Sequence, residues 1–116
     1  MKIATFNDGT TKTTRSDSAT FAWRIVRKSD GKVLKVSQSK TLENAQKSST
    51  MAIDDCYALS ANADADRDLW LDTYTARGHN RRATMKQVRE AKEENTRRRA
   101  IRATLVDIEI AEYVAE

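Results

Sequence analysis

Residues 19–39, ATFAWRIVRKSDGKVLKVSQS, hold two β-rich runs on either side of Asp30-Gly31, and no other stretch constrains the fold as tightly. An Asp-Gly pair supplies the positive φ angles of a two-residue turn, and the turn fixes how the flanking strands pair. With that turn Ile25 faces Val36 and Arg27 faces Leu34, and Phe21 and Trp23 continue the Ile25 face as the core side. The opposite face then carries Arg24, Val26, Lys28, Val33 and Lys35, half of it basic and exposed. A lone hairpin is marginal in water, so the pattern requires a third strand and a covering helix. Residues 2–6, KIATF, are the expected third strand, with the polar NDGTTKTTRSDS as a loop between it and the hairpin.

Beyond the hairpin the chain reads as helix. Thr41 is placed to cap a helix over 41–61 whose apolar face takes Leu42, Ala45, Ser49, Ala52, Ile53, Cys56 and Leu59. A second helix over 64–77 opens on acidic residues, packs through Leu69, Trp70 and Tyr74, and stops at Gly78. Thr84 and Gln87 have the spacing of a capping box. The chain has no proline and only three glycines, so nothing breaks the pattern after Thr84. This predicts a helix over 83–115, on the order of 45 Å long. Its apolar seam runs Met85, Val88 and Ala91, lapses from Lys92 to Arg99, and resumes with Ile101, Leu105, Ile108, Ala111 and Ala115. The apolar half must pack on the domain or on a second copy, so a homodimer through 101–115 is one expectation. The fold class is α+β, in a single domain over 1–116 that is β-rich over 1–40. A small antiparallel sheet is covered by helices, and a long helix forms the C-terminal end.

Composition narrows the functional classes. With 116 residues, 39% hydrophobic and 33% charged, the chain suits one thin-cored domain. Its net charge of +4 averages four bands: +6 over 1–50, −5 over 51–76, +7 over 77–102 and −4 over 103–116. Such banding suits charge complementarity within or between subunits as well as an external ligand. No apolar run approaches the ~18 residues of a membrane span. The N-terminal residues lack the apolar core of a signal peptide, which predicts a cytoplasmic protein. Cys56 is the only cysteine and His79 the only histidine, so most Cys/His metal sites and any Ser-His-Asp set that needs more cannot be built. Asp64, Asp66 and Asp68 open like a calcium loop, but Leu69 and Thr75 stand where its glycine and bidentate glutamate belong. No enzymatic activity, metal or cofactor is expected.

What remains is basic. Residues 95–104, NTRRRAIRAT, carry Arg97, Arg98, Arg99 and Arg102, with Glu93 and Glu94 four residues before Arg97 and Arg98 in the favoured order for intrahelical ion pairs. Arg81 and Arg82 lie in the preceding loop. These six are the expected partner contacts, for carboxylate or phosphate alike. Few aromatic residues interleave with the basic stretch, which gives no support for stacking on single-stranded bases.

Residues 83–105 resemble the helix-turn-helix of DNA-binding repressors over roughly 20 residues, with Thr84, Met85 and Val88 on the opening helix and a turn at 93–95. Arg89, Glu93 and Glu94 depart from the turn pattern, and Arg99 and Arg102 from the second helix, so a continuous helix is the simpler reading. Residues 19–60 resemble the three-stranded sheet plus helix of integrase arm-binding and AP2-type DNA-binding domains. That resemblance implies that Arg24, Lys28 and Lys35 read a major groove. Together with Lys86 and Arg89 they form the expected set for direct DNA or RNA binding.

In size, sheet-plus-helices pattern, banded charge and lack of catalytic residues, the chain resembles small accessory proteins of bacteriophages and mobile elements, among them inhibitors of bacterial defence systems. The resemblance implies a stoichiometric binder that covers a surface of a host protein or nucleoprotein complex. The alternative is a direct nucleic-acid-binding protein.

Overall fold

A computed structural model describes residues 1–56 and 59–116. The order is β1 (Lys2–Thr5), β2 (Thr11–Thr14), β3 (Phe21–Arg27), β4 (Val33–Ser39), α1 (Leu42–Asp54), α2 (Ala63–Asp68), α3 (Thr73–Ala76), α4 (Met85–Thr104), β5 (Val106–Glu112) and β6 (Val114–Ala115). The class is α+β, with two antiparallel sheets ordered β4-β3-β5 and β2-β1-β6.

The hairpin β3–β4 forms, but with a different turn. Among the described residues only glycines have positive φ, and Gly31 (φ 75°) is the one in this loop, so the mirror-image two-residue turn is not made. Instead Arg27 N–H donates to the Lys32 carbonyl (2.8 Å) and Gly31 N–H to the Arg27 carbonyl (2.8 Å). A bulge between Ile25 and Val26 completes the shift: Ile25 pairs with Lys35 and Arg24 with Val36. Arg27 reaches across the loop to Asp30 and to the Ser60 carbonyl, and its guanidinium holds the Asp30 carboxyl below the usual carboxylate range.

The third strand of this sheet is β5, not KIATF. Phe21 to Arg27 pair in register with Glu112 to Val106, so the helix expected over 83–115 ends at Thr104 and residues 106–112 and 114–115 are strand. Val106, Asp107, Ile108, Glu109 and Ile110 alternate apolar and acidic, the period of a strand. Directly opposed residues share a face, so Val106, Ile108 and Ile110 join Arg27, Ile25 and Trp23 on the side that α1 covers. Ala45, Ser49 and Ala52 on α1 are small and buried, which lets the helix sit close over Trp23 and Ile25. Thr41 caps α1 as expected, its hydroxyl accepting from Asn44 N–H. The helix ends at Asp54; the expected extension to 61 crosses residues 57 and 58, which lie outside the described residues.

The other face of β3 is also covered. The segment read as a polar loop contains β2, and β1, β2 and β6 make a second sheet whose Ala4 and Phe6 pack with Ala19, Ala22 and Tyr113. Tyr113 stands between β5 and β6, where the chain passes from one sheet to the other, and its hydroxyl donates to Gln38 Oε1 (2.9 Å). Val106 and Tyr113 are buried within the domain and Leu105, Ile110 and Ala111 pack against its two clusters, while Ile101, Ile108 and Val114 stay exposed. A helical dimer seam through 101–115 has no basis in this geometry.

The helix expected over 64–77 is two short ones. Asn62 caps α2 and Asp72 caps α3, and Gly78 (φ 72°) ends α3 where the sequence places its stop. Leu69 is buried, whereas Trp70 is 53% exposed and Tyr74 60%, so the expected packing side of 69–74 turns largely to solvent. The capping box of α4 is present at Thr84 and Gln87. The helix then runs unbroken through Asn95, which removes the helix-turn-helix resemblance. Among the described residues no helix is long and apolar enough to cross a membrane.

Candidate functional site

The helix α4 has almost no apolar face. Its buried or half-buried positions are Val88, Ala91, Glu94, Asn95, Arg98 and Arg102, of which Val88, Ala91, Asn95, Arg98 and Arg102 alternate steps of three and four residues as in a coiled-coil seam. Here the seam bonds to backbone. The Asn95 amide accepts from Asp72 N–H (2.8 Å) and donates to the Asp72 carbonyl (3.1 Å). Arg98 donates to the Trp70 carbonyl. Arg102 donates to the carbonyls of Leu69 (3.0 Å), Ile53 (2.7 Å) and Asp54 (2.8 Å). Residues 69–72 are thereby clamped to α4 through their peptide groups, because the short α2 and α3 offer little apolar surface to pack. Asn95→Ala is expected to lower stability by about 2 kcal/mol, since it removes both bonds to a part-buried peptide group. Urea denaturation together with hydrogen exchange at residues 72–76 measures the effect, and unchanged exchange there would contradict the clamp.

Four of the six expected contact residues are thus engaged inside the molecule. Arg102, 3% exposed, is a structural group and not a surface contact. Arg98 and Arg97 share Glu94, and the Arg97 bond holds the Glu94 carboxyl at about 2. Arg99 Nε lies 3.0 Å from Asp54 Oδ2. Arg97 and Arg99 keep exposed side chains, and Arg81 and Arg82 alone of the six are exposed with no carboxylate within ion-pair distance among the described residues.

The expected DNA-reading set on the hairpin is dispersed. Arg24 is 5% exposed, between the sheets, where it bonds Glu109, Asp8 and Thr10 and lies over the Phe6 ring. The shifted register puts Lys35 opposite Ile25, on the α1 side of the edge strand, and Lys28 pairs with Asp107 (3.7 Å). The three therefore share no face, because the second sheet buries the one that would have carried them.

The available positive charge lies further upstream. Arg77, Arg81, Arg82, Lys86, Arg89 and Lys92 are exposed, and among the described residues none sits within ion-pair distance of a carboxylate. Lys86, Arg89 and Lys92 follow at three-residue steps along one ridge of α4. On the far flank Glu90 and Glu94 line a depression with Asp72. The separation is partial, since exposed Glu93 stands four residues after Arg89 on the same ridge. Between α3 and α4, Arg77, Lys92 and Arg99 line a depression of about 360 Å³ with Thr73 and Thr96. It meets a second, of about 470 Å³, at Thr73, Arg77 and Arg99, where Trp70, Asp54 and Asp55 are added to the wall. The sequence placed Trp70 on a packing side, whereas it is 53% exposed and lines the second depression. No protein-family model, no curated protein and no solved structure matches this chain.

Proposed function

We propose that the protein is a non-enzymatic binding protein that covers an anionic surface of a host protein or nucleoprotein complex, in the manner of phage-encoded inhibitors of bacterial defence. The observation that supports this is the separation of its cations into two sets. Arg24, Arg27, Arg98 and Arg102 are spent on holding the fold, whereas Arg81, Arg82, Lys86 and Arg89 are exposed with no carboxylate partner among the described residues. Unpaired arginines on a rigid helix and its entry loop suit bidentate contact with carboxylates or phosphates at small cost in side-chain ordering. This reading keeps Arg81 and Arg82 from the expected partner contacts and replaces Arg97, Arg98, Arg99 and Arg102 with Lys86 and Arg89, which the sequence assigned to nucleic-acid binding.

Direct nucleic-acid binding is the second reading, and the same unpaired ridge favours it, since cations free of internal carboxylates release DNA counterions on contact. One experiment separates the two. The protein is used to capture partners from a bacterial lysate with and without nuclease, beside an Arg81→Ala/Arg82→Ala/Arg89→Ala variant. Capture of a defined protein that survives nuclease and falls at least about tenfold in the variant is the expected result. Capture that vanishes with nuclease, with a salt slope of ~0.9 per phosphate neutralised, establishes the second reading instead. Capture unchanged in the variant removes this surface.

A further inference from the structure

We propose that the outer edge of β4 takes an extended segment of a partner protein as an added strand, and that this segment alternates apolar and acidic residues. This goes beyond the surface reading and uses different residues. Among the described residues β4 pairs with β3 alone, so its outer row of backbone donors and acceptors has no strand beside it. The edges of the small sheet, β2 and β6, are four and two residues long, whereas β4 and β5 have seven each. A long edge without proline is a template for strand addition.

Charge decides between the two long edges, and it also decides the occupant. From Gly31 to Leu42 the chain carries Lys32, Lys35 and Lys40 and no acid. All three are exposed, and among the described residues none lies within ion-pair distance of a carboxylate. The acids next to them in sequence are already engaged, Asp30 by Arg27 and Glu43 by Lys47. On β5, by contrast, Asp107 and Glu109 already have Lys28 and Arg24. The β4 edge thus keeps positive charge that an acidic strand would neutralise. It also bears an apolar group. Val36 is 45% exposed and stands opposite Arg24, on the other face of the sheet from Lys35. Directly opposed residues share a face, so a strand beside β4 needs an acid opposite Lys35 and an apolar residue opposite Val36. Alternation of that kind is what β5 has, and the sheet accepts it at its other margin. A second copy of the chain suits the edge less well. Two β4 edges would set lysines against lysines, and β4 on another copy's β5 would repeat without closing.

The test is a fluorescently labelled peptide of alternating valine and glutamate, seven residues long to match β4, titrated with the full-length protein and followed by anisotropy. One control peptide carries lysine in place of glutamate. Two others are N-methylated, one at the odd and one at the even backbone nitrogens. An added strand turns every second N–H towards its neighbour, so one N-methylated form should keep the parent affinity and the other should lose about tenfold. The lysine peptide, and the parent peptide on Lys35→Glu, should each lose about tenfold. Lys35 is exposed, and an unchanged thermal midpoint shows that the variant keeps its fold. Hydrogen exchange should slow in residues 33–39 when the parent peptide is bound. Absence of binding at millimolar peptide overturns the proposal. So does equal binding of the lysine peptide, full affinity in Lys35→Glu, or equal binding of both N-methylated forms, which would mean attachment through side chains alone. Light scattering that rises with protein concentration in the absence of peptide, with slowed exchange at 33–39, would put a second copy on the edge and overturn it too. Arg81, Arg82 and Arg89 lie outside β4, so failure here leaves the surface reading standing.

Discussion

Arg102→Met is expected to lower the free energy of unfolding by about 3–5 kcal/mol, from ~1–3 kcal/mol for each carbonyl left buried without a donor and some recovery by hydration. A single domain holds about 5–15 kcal/mol in all, so the variant stands near the edge of folding. The size of the effect follows from what the guanidinium joins. Among the described residues no carboxylate lies in direct contact with it, and burial pushes its pKa down. The carbonyls of Ile53, Asp54 and Cys56 compensate, because they belong to the last turn of α1 and the residues just after it, the negative end of the helix dipole. The last turn of α1 has no basic residue of its own, so α4 supplies the cation from about fifty positions away. The same side chain also holds Leu69, and one group thereby ties α1, α4 and the segment bearing Trp70. Arg102→Lys should recover only part of the loss, since an ammonium lacks the planar fork. Urea denaturation followed by circular dichroism gives the number. A loss below about 1 kcal/mol would mean that water reaches those carbonyls.

This arginine also shows where the sequence could be read and where it could not. Thr41, Gly78 and the capping box at Thr84 were legible because each acts through backbone groups within a few residues. The core face of β3, with Phe21, Trp23 and Ile25, was legible for the same kind of reason, since alternation is local. The start of β5 was not. Leu105 and the residues after it satisfy helical spacing as well as alternation, and neither proline nor glycine marks the boundary at Thr104. The strand prevails because the open edge of β3 needs backbone partners and the Trp23–Ile25 face needs Val106 and Ile110 beside it. That demand lies some eighty residues away in the chain. The arginines of 97–102 misled for a related reason. A seam at coiled-coil spacing is sought among apolar residues, and here Asn95, Arg98 and Arg102 fill it, bonding peptide groups that no sequence pattern displays. Their functional look came from charge, and the tertiary structure uses most of that charge internally. The depression between α3 and α4 depends on how α3 seats on α4, which no local pattern encodes.

Arg24→Met is expected to cost about 3–5 kcal/mol, because it leaves Glu109, 17% exposed at its side chain, as a largely buried carboxylate without its cation. The loss should be unequal across the molecule. Arg24 is the one side chain of β3 that bonds Glu109 within its own sheet and also Asp8 (3.0 Å) and Thr10 (2.8 Å) in the β1–β2 turn, with its guanidinium 4.4 Å above the Phe6 ring. Hydrogen exchange should therefore rise first in residues 2–5 and 11–14, while β3, α1 and β5 hold. The double variant Arg24→Met/Glu109→Leu should regain much of the stability, since well-packed apolar groups often match a buried ion pair. It should not restore protection of β1 and β2, which need the contacts to Asp8 and Thr10. Acid offers an independent check. The Thr10 hydroxyl and backbone N–H, and after them Arg24, hold the Asp8 carboxyl at about 2, below its unfolded value of about 3.9. A depressed carboxylate stabilises the folded form above the unfolded pKa and loses that contribution as pH falls. The β1–β2 turn, and with it the Asp8 contact to Arg24, should therefore weaken between about pH 4 and pH 2, and Asp8→Asn should remove that step. A double variant that regained both stability and protection of β1 would show that the second sheet is held by its apolar contacts alone, with Arg24 needed only to neutralise Glu109.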